Sequence, residues 1–578
     1  MKKLLRYLRE YRKECILGPC FKMLEAIFEL FVPLAVASMI DKGIAGEHRG
    51  HILLMCGLMV LLAAVGLTCT LFAQYFAARA AVGVSAKLRH SMLAGIQRMR
   101  YCDLDRAGSS ALITRMTGDI NQVQTGINLA IRLLLRSPFI VFGAMIMAFT
   151  VDVKAALVFV GVIPLLAAVV FGIMILTIPR YRNVQKELDA VTELTRENLD
   201  GVRAIRAFRM EQAEIRGFRE RLSGMTRMQI AVGRISALMN PGTYILINGA
   251  VIFLIYIGAL RVNSGALSQG SVVALYNYMS QILVELIKLA NLIITLNKTA
   301  ACWSRVAPLV DDDPAAALSE THADAPEIQP EQRGSLVFEH VSFTYEGSSV
   351  PALSDISFTA KPGDVIGIIG GTGAGKSTLV NLIPRFYEPT AGSITVSGIP
   401  SAEYPEEALR QEIGVVPQKA LLFSGTIRDN LKWGKPDATD EEIEVALETA
   451  QAADVVRSKA LGLDEPITEG GHNLSGGQRQ RLTIARALVR KPAFLILDDS
   501  ASALDYATDL ALRKALKNLP DRPTVLIVSQ RTASIQHADT ILVLENGALA
   551  GIGTHDALLE SCGVYREIYE SQFPKEAK

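Results

Sequence analysis

The sequence predicts two parts in one chain: an α-helical transmembrane domain of six spans, then an α/β domain built around a phosphate-binding loop. Three observations predict this. Residues 1–310 are dominated by long apolar runs, three of them free of Asp, Glu, Lys and Arg. From Leu336 onward, short apolar strands alternate with helical stretches, the pattern of an α/β domain. Within that second part, Gly370-Gly371-Thr372-Gly373-Ala374-Gly375-Lys376-Ser377 matches G-x-x-x-x-G-K-[ST].

The spans follow in order. A bilayer core needs roughly 20 apolar residues per helix. His51–Ala78, Ala155–Pro179 and Ile235–Leu260 satisfy this without a single charge. Three further runs carry charges at their edges or interior. Cys15–Ile40 contains Lys22, Glu25 and Glu29. Ser137–Thr150 is short but extends back through Ile127–Leu135, and Gly270–Val284 continues into Glu285 and Lys288. Charges inside a membrane are costly, so these side chains are expected to pair with one another or to face a wet cavity. Glu25 and Glu29 could then either hold the architecture together or attract cationic substrates. The basic start, Met1-Lys2-Lys3-Leu4-Leu5-Arg6, reads as an interfacial amphipathic helix entering the first span, because Glu25 and Glu29 interrupt any signal-peptide core.

Charge sets the topology. The stretches Arg79–Arg136 and Arg180–Arg221 are rich in Arg, while Asp41–Gly50, Val151–Lys154 and Arg261–Gln269 are short and weakly charged. Basic residues mark the cytoplasmic side, so both termini are expected there. The two basic stretches are too long for simple loops and read as cytosolic extensions of the membrane helices, each with a small turn at its tip. Hydrophobic residues make up 50% of the chain and its net charge is +1, which gives no reason to invoke nucleic acid. The seven cysteines show neither metal-ligand spacing nor C-x-x-C, so free thiols are expected.

The acidic, Pro- and Ala-containing stretch from Asp311 to Gln332 reads as a linker. The predicted domains are 1–310 in the membrane, 311–335 as linker and 336–578 for the nucleotide. The strand Asp364–Gly370 feeds the phosphate loop and the helix Thr378–Ile383 leaves it. Glycines let backbone N–H groups wrap the phosphates of a nucleotide. Lys376 is placed to reach the β- and γ-phosphates, and Ser377 to offer its hydroxyl to Mg²⁺. The apolar strand Ala493–Leu497 ends in Asp498, the usual carboxylate position for Mg²⁺ and its water. Thr524–Ser529 is another buried strand.

Further motifs resemble one family, the ATP-binding cassette (ABC) transporters. Leu474-Ser475-Gly476-Gly477-Gln478 is the family's signature sequence. Tyr345 matches its adenine-stacking aromatic, Gln418 the glutamine between its core and helical subdomains, and Ser502–Asp505 its D-loop. Six spans with two long cytosolic excursions resemble the exporter-type (type IV) half-transporter. The resemblance implies the ABC ATPase fold with a helical subdomain. It also implies a dimer that sandwiches two ATP molecules, each between one chain's phosphate loop and the other's signature. The implied cofactors are ATP, contacted by Tyr345, Gly370–Thr378 and Gln418, and Mg²⁺, held by Ser377, Gln418 and Asp498. Ser475 and Gly477 would contact the partner's ATP. Asp105–Arg115 and Glu197–Phe208 resemble the two intracellular-loop patterns that dock on nucleotide domains, the second on the partner chain.

Two positions depart from the family pattern. Glu usually follows the Mg²⁺ aspartate; here the residue is Asp499, one methylene shorter. His usually follows the last core strand; here Val528-Ser529 is followed by Gln530. A base must reach its proton within hydrogen-bond distance, and Gln cannot become cationic. The resemblance therefore implies a hydrolysis-impaired site on this phosphate loop and an intact signature for the partner. That combination resembles one half of a heterodimeric exporter of amphipathic small molecules, drugs or lipids, in the plasma membrane of a bacterium-like cell. A slow homodimer, a regulatory nucleotide-binding subunit and an exporter-shaped importer stay open.

Overall fold

The computed structural model describes residues 2–310 and 328–573, which fall into two compact units. One comprises Met1–Arg98 and Gly108–Ala315; the other comprises Met99–Ala107 and Ala316–Lys578. Most of the expected linker, residues 311–327, lies outside the described residues.

The first unit is helical. Six helices are long and apolar enough to cross a membrane: Arg12–Ile44, Arg49–Gln97, Ser109–Val151, Val153–Asp200, Glu211–Asn263 and Gln269–Leu309. The second has 49 residues and the fourth 48. At 1.5 Å per residue each is roughly twice as long as a ~30 Å hydrocarbon core requires, so much of each stands outside it. The tips of the two excursions carry the short helices Tyr101–Ala107 and Val202–Ala207, where sequence suggested turns. Side chains stop fraying at two helix starts. Asp152 accepts the Ala155 N–H at 2.8 Å, and Ser268 accepts that of Ser271 at 3.2 Å. The N-terminal segment forms the helix Lys2–Glu10, which buries Leu4 and donates from the Tyr7 hydroxyl to Ser91.

Neither the prolines of the first span nor the break in the third was singled out from the sequence. Pro19 and Pro33 lie inside the first span. Each lacks an N–H and frees a carbonyl one turn back, which for Pro33 is that of Glu29. The third span is interrupted at Leu134–Leu135, between Ile120–Leu133 and Arg136–Val151. Arg136 stands just past that break and gathers the membrane charges. It donates to Glu285 Oε1 at 2.5 Å and to Glu29 Oε2 at 2.7 Å, and lies 3.7 Å from Glu25. Lys22 pairs with Glu25, Lys288 with Glu285 at 2.8 Å, and Ser137 donates to Glu285 Oε2. Three bases and three acids thus offset each other across the first, third and sixth spans. Above them Tyr278, fully buried, donates its hydroxyl to the Leu30 carbonyl at 2.8 Å and ties the sixth span to the first.

The second unit holds two main sheets. The strands are β1 (Leu336–Phe343), β2 (Leu353–Ala360), β3 (Val365–Gly370), β4 (Ala391–Val396), β5 (Ile399–Pro400) and β6 (Ile413–Val416). They continue as β7 (Gly425–Thr426), β8 (Pro466–Ile467), β9 (Phe494–Asp498), β10 (Thr524–Val528), β11 (Thr540–Glu545) and β12 (Ala548–Gly553). An antiparallel sheet runs β2-β1-β4-β5, and a six-stranded sheet runs β12-β11-β3-β10-β9-β6. In the second, β11, β3, β10, β9 and β6 are mutually parallel and β12 closes one edge antiparallel. The central strands are apolar on both faces, as a covered parallel sheet requires: every residue of β10 is buried. The helices Ile427–Lys432, Asp440–Thr449 and Gly476–Leu488 form a second lobe, each started by a capping box from Thr426, Thr439 and Ser475.

Candidate functional site

Open parallel sheets bind ligands beyond the carboxyl ends of their strands. Four adjacent strands end together here. β3 delivers the phosphate loop, β10 delivers Ser529 and Gln530, β9 delivers Asp498 and Asp499, and β6 leads to Gln418. The register places Val528 opposite both Asp498 and Ile368, so the strand ends are level. Residues far apart in sequence meet because parallel pairing aligns their strands.

The loop is tightly wound. A side chain at Gly370 would put its Cβ 2.2 Å from the Leu544 carbonyl oxygen, and Gly375 adopts φ +95°. Only glycine fits the first position, and the second favours it strongly. Gly371, Thr372 and Gly373 are exposed at the tip, while Ala374 is buried beneath. The helix Lys376–Leu382 begins at the lysine, two residues before its expected start. Lys376 is buried and donates to the carbonyls of Gly370 at 2.9 Å and Gly371 at 2.7 Å. Burial pushes its pKa down, opposed by the charges of Asp499 and Asp498.

Ser377 donates its hydroxyl to Asp498 Oδ1 at 3.1 Å, and Gln418 donates through Nε2 to Asp499 Oδ2 at 3.4 Å. Burial raises the Asp498 pKa; the Ser377 hydroxyl works against that rise, the Asp499 charge adds to it, and Lys376 opposes it. The Ser377 hydroxyl and the Asp498 carboxylate are hard oxygen donors of the kind Mg²⁺ takes, while Gln418 meets the neighbouring Asp499 through its amide nitrogen. Asp499 sits at φ +47°, a left-handed conformation that short Asp side chains tolerate, and its N–H donates to the Val528 carbonyl. Gln530 is exposed, and its backbone carbonyl accepts from Gln572 Nε2 at 2.7 Å.

Tyr345 donates or accepts a hydroxyl bond with Thr378 at 3.0 Å, which places its ring beside the loop helix. It packs edge-on against Phe343 and Tyr387. Tyr387 was not singled out by sequence. It donates to Asp105 Oδ2 at 2.5 Å, while Phe386 stacks on Tyr101 at 4.4 Å and Arg106 pairs with Glu346. The first excursion's tip therefore packs within the second unit, one aromatic ring away from Tyr345. Ser475 and Gly477 lie elsewhere, at the start of the helix Gly476–Leu488. Ser475 Oγ accepts the Gln478 N–H, and a Cβ on Gly477 would sit 3.2 Å from the Ala503 carbonyl oxygen. The capping box there satisfies the Ser475 and Gln478 N–H groups, and a helix N-terminus carries the partial positive charge that suits an anion. A cavity of about 360 Å³ between that lobe and the β6 edge of the sheet is lined by Phe386, Arg410, Phe423, Trp433, Arg486 and Arg490.

Comparison with known proteins agrees with this geometry. Residues 15–286 match the model of the ABC transporter transmembrane region, and residues 353–502 match the ABC transporter model. YfiB of Bacillus subtilis, an uncharacterised ABC transporter ATP-binding protein, is 34% identical over 100% of this chain and 99% of its own. The B. subtilis probable multidrug resistance ABC transporter ATP-binding/permease protein YheI is 33% identical over 94% and 93%. An ATP-dependent lipid A-core flippase of Chromobacterium violaceum is 31% identical over 99% and 97%. An ATP-bound bacterial Atm1-family ABC exporter shares the fold at a TM-score of 0.79 and 23% identity, over 98% of this chain and 100% of that one. The chain belongs to the ABC transporter family, as a half-transporter with its membrane and ATP-binding domains fused in one polypeptide.

Proposed function

We propose that this chain is the hydrolysis-impaired half of a heterodimeric exporter of amphipathic small molecules, drug-like or lipid-like, in a bacterial plasma membrane. The proposed domains are 1–310, with the linker 311–335, and 336–578, the last being cytoplasmic with both termini. The observation that carries the reading is the composition of the strand-end cluster. Ser377 and Asp498, bonded to each other, and Gln418, bonded to Asp499, would hold Mg²⁺ with the nucleotide. The two positions where the family holds a water-positioning Glu and a cationic His are Asp499 and Gln530. Asp499 is short, and Gln530 brings no positive charge to a γ-phosphate. ATP binding uses the loop's backbone N–H groups, Lys376 and Tyr345, all present, so this site binds nucleotide but turns it over slowly. The signature at Ser475 and Gly477 completes the partner's site.

Two features support a second chain. Phe208, at the tip of the second excursion, is 79% exposed. The cavity around Trp433 and Arg486 of this chain has room for an aromatic ring of that kind brought by a second chain. The names carried by relatives, multidrug and lipid A, frame the substrate class.

The test is ATP turnover by the purified assembled transporter. Asp499→Asn is expected to leave steady-state hydrolysis largely intact, and Ser475→Arg to remove most of it. Near-complete loss on Asp499→Asn would replace this reading with a slow homodimer that uses Asp499 as its base.

A further inference from the structure

Residues 1–16 carry two acids, Glu10 and Glu14, and six bases, Lys2, Lys3, Arg6, Arg9, Arg12 and Lys13. The fold sorts them. Leu4 is buried, Tyr7 donates to Ser91 Oγ at 2.9 Å, and the Lys87 ammonium stands 5.8 Å from the centre of the Tyr11 ring. Glu10 pairs with Lys87, and Glu14 lies 3.4 Å from Arg79. Both acids are therefore answered by basic residues of the second span. Apart from Glu10, the exposed side chains among residues 3–16 are Leu5, Arg6, Arg9, Arg12, Lys13 and Ile16. Arg9, Arg12 and Lys13 make no ion pair or hydrogen bond with any described residue. Leu5 and Arg9 share a face of the helix Lys2–Glu10, and Arg12, Lys13 and Ile16 share one of the helix Arg12–Ser38. Leu5 and Ile16 are each 62% exposed.

We propose that this outward face docks on an anionic lipid surface, the phosphodiester headgroups of the cytoplasmic leaflet, and selects it over zwitterionic lipid. The inference rests on how the segment's charges are divided between its two sides, and not on what the transporter carries. An unpaired guanidinium or ammonium gains most from an oxyanion that has no cation of its own. A phosphatidylglycerol headgroup offers that, whereas the phosphate of phosphatidylcholine comes with its own trimethylammonium. Arg9 and Arg12 can each present paired N–H groups to two phosphate oxygens at once. Leu5 and Ile16, beside the cations, suit the boundary between headgroups and acyl chains. Each basic residue held at an anionic surface favours it roughly fivefold. Because the inner side of the same segment grips Arg79, Lys87 and Ser91, the lipid contact also fixes the level at which the first two spans enter the bilayer.

The test uses the assembled transporter in phosphatidylcholine nanodiscs, with this chain freed of its native cysteines and carrying bimane on Leu5→Cys. The nanodiscs hold an equal minor share of acyl-brominated phosphatidylglycerol or acyl-brominated phosphatidylcholine, and bimane quenching reports which lipid sits at the segment. Both leaflets have the same composition, so the result does not depend on the topology. The local share of the phosphatidylglycerol is expected to exceed that of the phosphatidylcholine at least about fivefold, the effect of one basic residue at an anionic surface. The triple variant Arg9→Gln/Arg12→Gln/Lys13→Gln is expected to erase that preference while ATP photolabelling persists. Salt supplies a second measurement on the parent, which stands even if the triple variant fails to fold. At about 1 M NaCl, where the screening length is about 3 Å, the preference is expected to vanish. Equal quenching by the two lipids overturns the inference, as does a preference that survives the triple variant or the salt. Quenching by neither lipid would place a protein surface over Leu5 and overturn it as well.

Discussion

Lys376 shows how one residue is held ready for work. Its ammonium is buried against two loop carbonyls, where burial already disfavours the charge. Phosphate oxygens offer the same ammonium a full counter-charge. Lys376→Ala is therefore expected to cut labelling of this site by a photoreactive ATP analogue at least about tenfold, the size of one charge-assisted contact. Unchanged labelling would reject the assignment. This part of the site was legible in the sequence because the loop is contiguous: eight residues, with their spacing, specify its chemistry. Tyr387 was not legible. Its partner Asp105 lies 282 positions away, and a tyrosine after a phenylalanine carries no local mark of that contact. The carboxylates of the membrane were legible as a cost but not as a pattern, because which basic residue each would meet depends on helix rotation.

At the level of elements, Arg136 has the largest expected effect. It touches three carboxylates on two other helices, so Arg136→Met removes their shared partner, leaving Glu25 with Lys22, Glu285 with Lys288 and Glu29 without its guanidinium. Removing one member of a buried ion pair costs about 3–5 kcal/mol. The thermal midpoint of the purified protein is expected to fall accordingly, while a mild change would mean that the carboxylates find other partners. The helix Asp440–Thr449 gives a prediction in pH. Glu442 accepts from Lys435 and Lys491 and closes the capping box with Thr439, and its pKa is pushed down to about 2, led by the Lys435 contact. A depressed folded pKa contributes stability at pH values above the ordinary carboxylate range, and that contribution disappears as pH falls toward 2. The double variant Lys435→Ala/Lys491→Ala is expected to be less stable than the parent at pH 7, with the gap closing on acidification. A gap independent of pH would show that the lysines act through packing. Helix starts of this kind were readable in principle from Thr-x-x-Asp and Thr-x-x-Glu spacings, whereas the break at Leu134–Leu135 was hidden inside an apolar run.

For the whole molecule, the arginine-rich excursions set the orientation. In a background without the seven native cysteines, Phe208→Cys is expected to react with a membrane-impermeant thiol reagent only from the cytoplasmic side. Gly46→Cys is expected to react only from the other. The reverse pattern would invert the topology and place the ATP site where no ATP is available. Six spans and an α/β nucleotide domain followed from apolar run length and from alternating strands. That the 99–107 segment joins the second unit followed only in part: the resemblance of Asp105–Arg115 to a docking pattern pointed to a nucleotide domain, whereas the aromatic contact of Tyr101 with Phe386, between distant parts of the chain, was not legible.

The ion cluster also works as a rivet. Sliding the first, third and sixth spans apart would strand Arg136 away from Glu29 and Glu285, at several kcal/mol per unpaired charge in hydrocarbon. A transport cycle driven by nucleotide has no reason to break that fastening on each turn. These three spans are then expected to move together, and the fourth and fifth, which supply none of the cluster's side chains and meet them through the apolar contacts of Phe159, Leu166, Ile247 and Leu254, are expected to move more. Spin labels on the first and sixth spans should keep their separation through ATP binding and release, while labels on the first and fifth should not. Equal movement in both pairs would mean that the rivet opens.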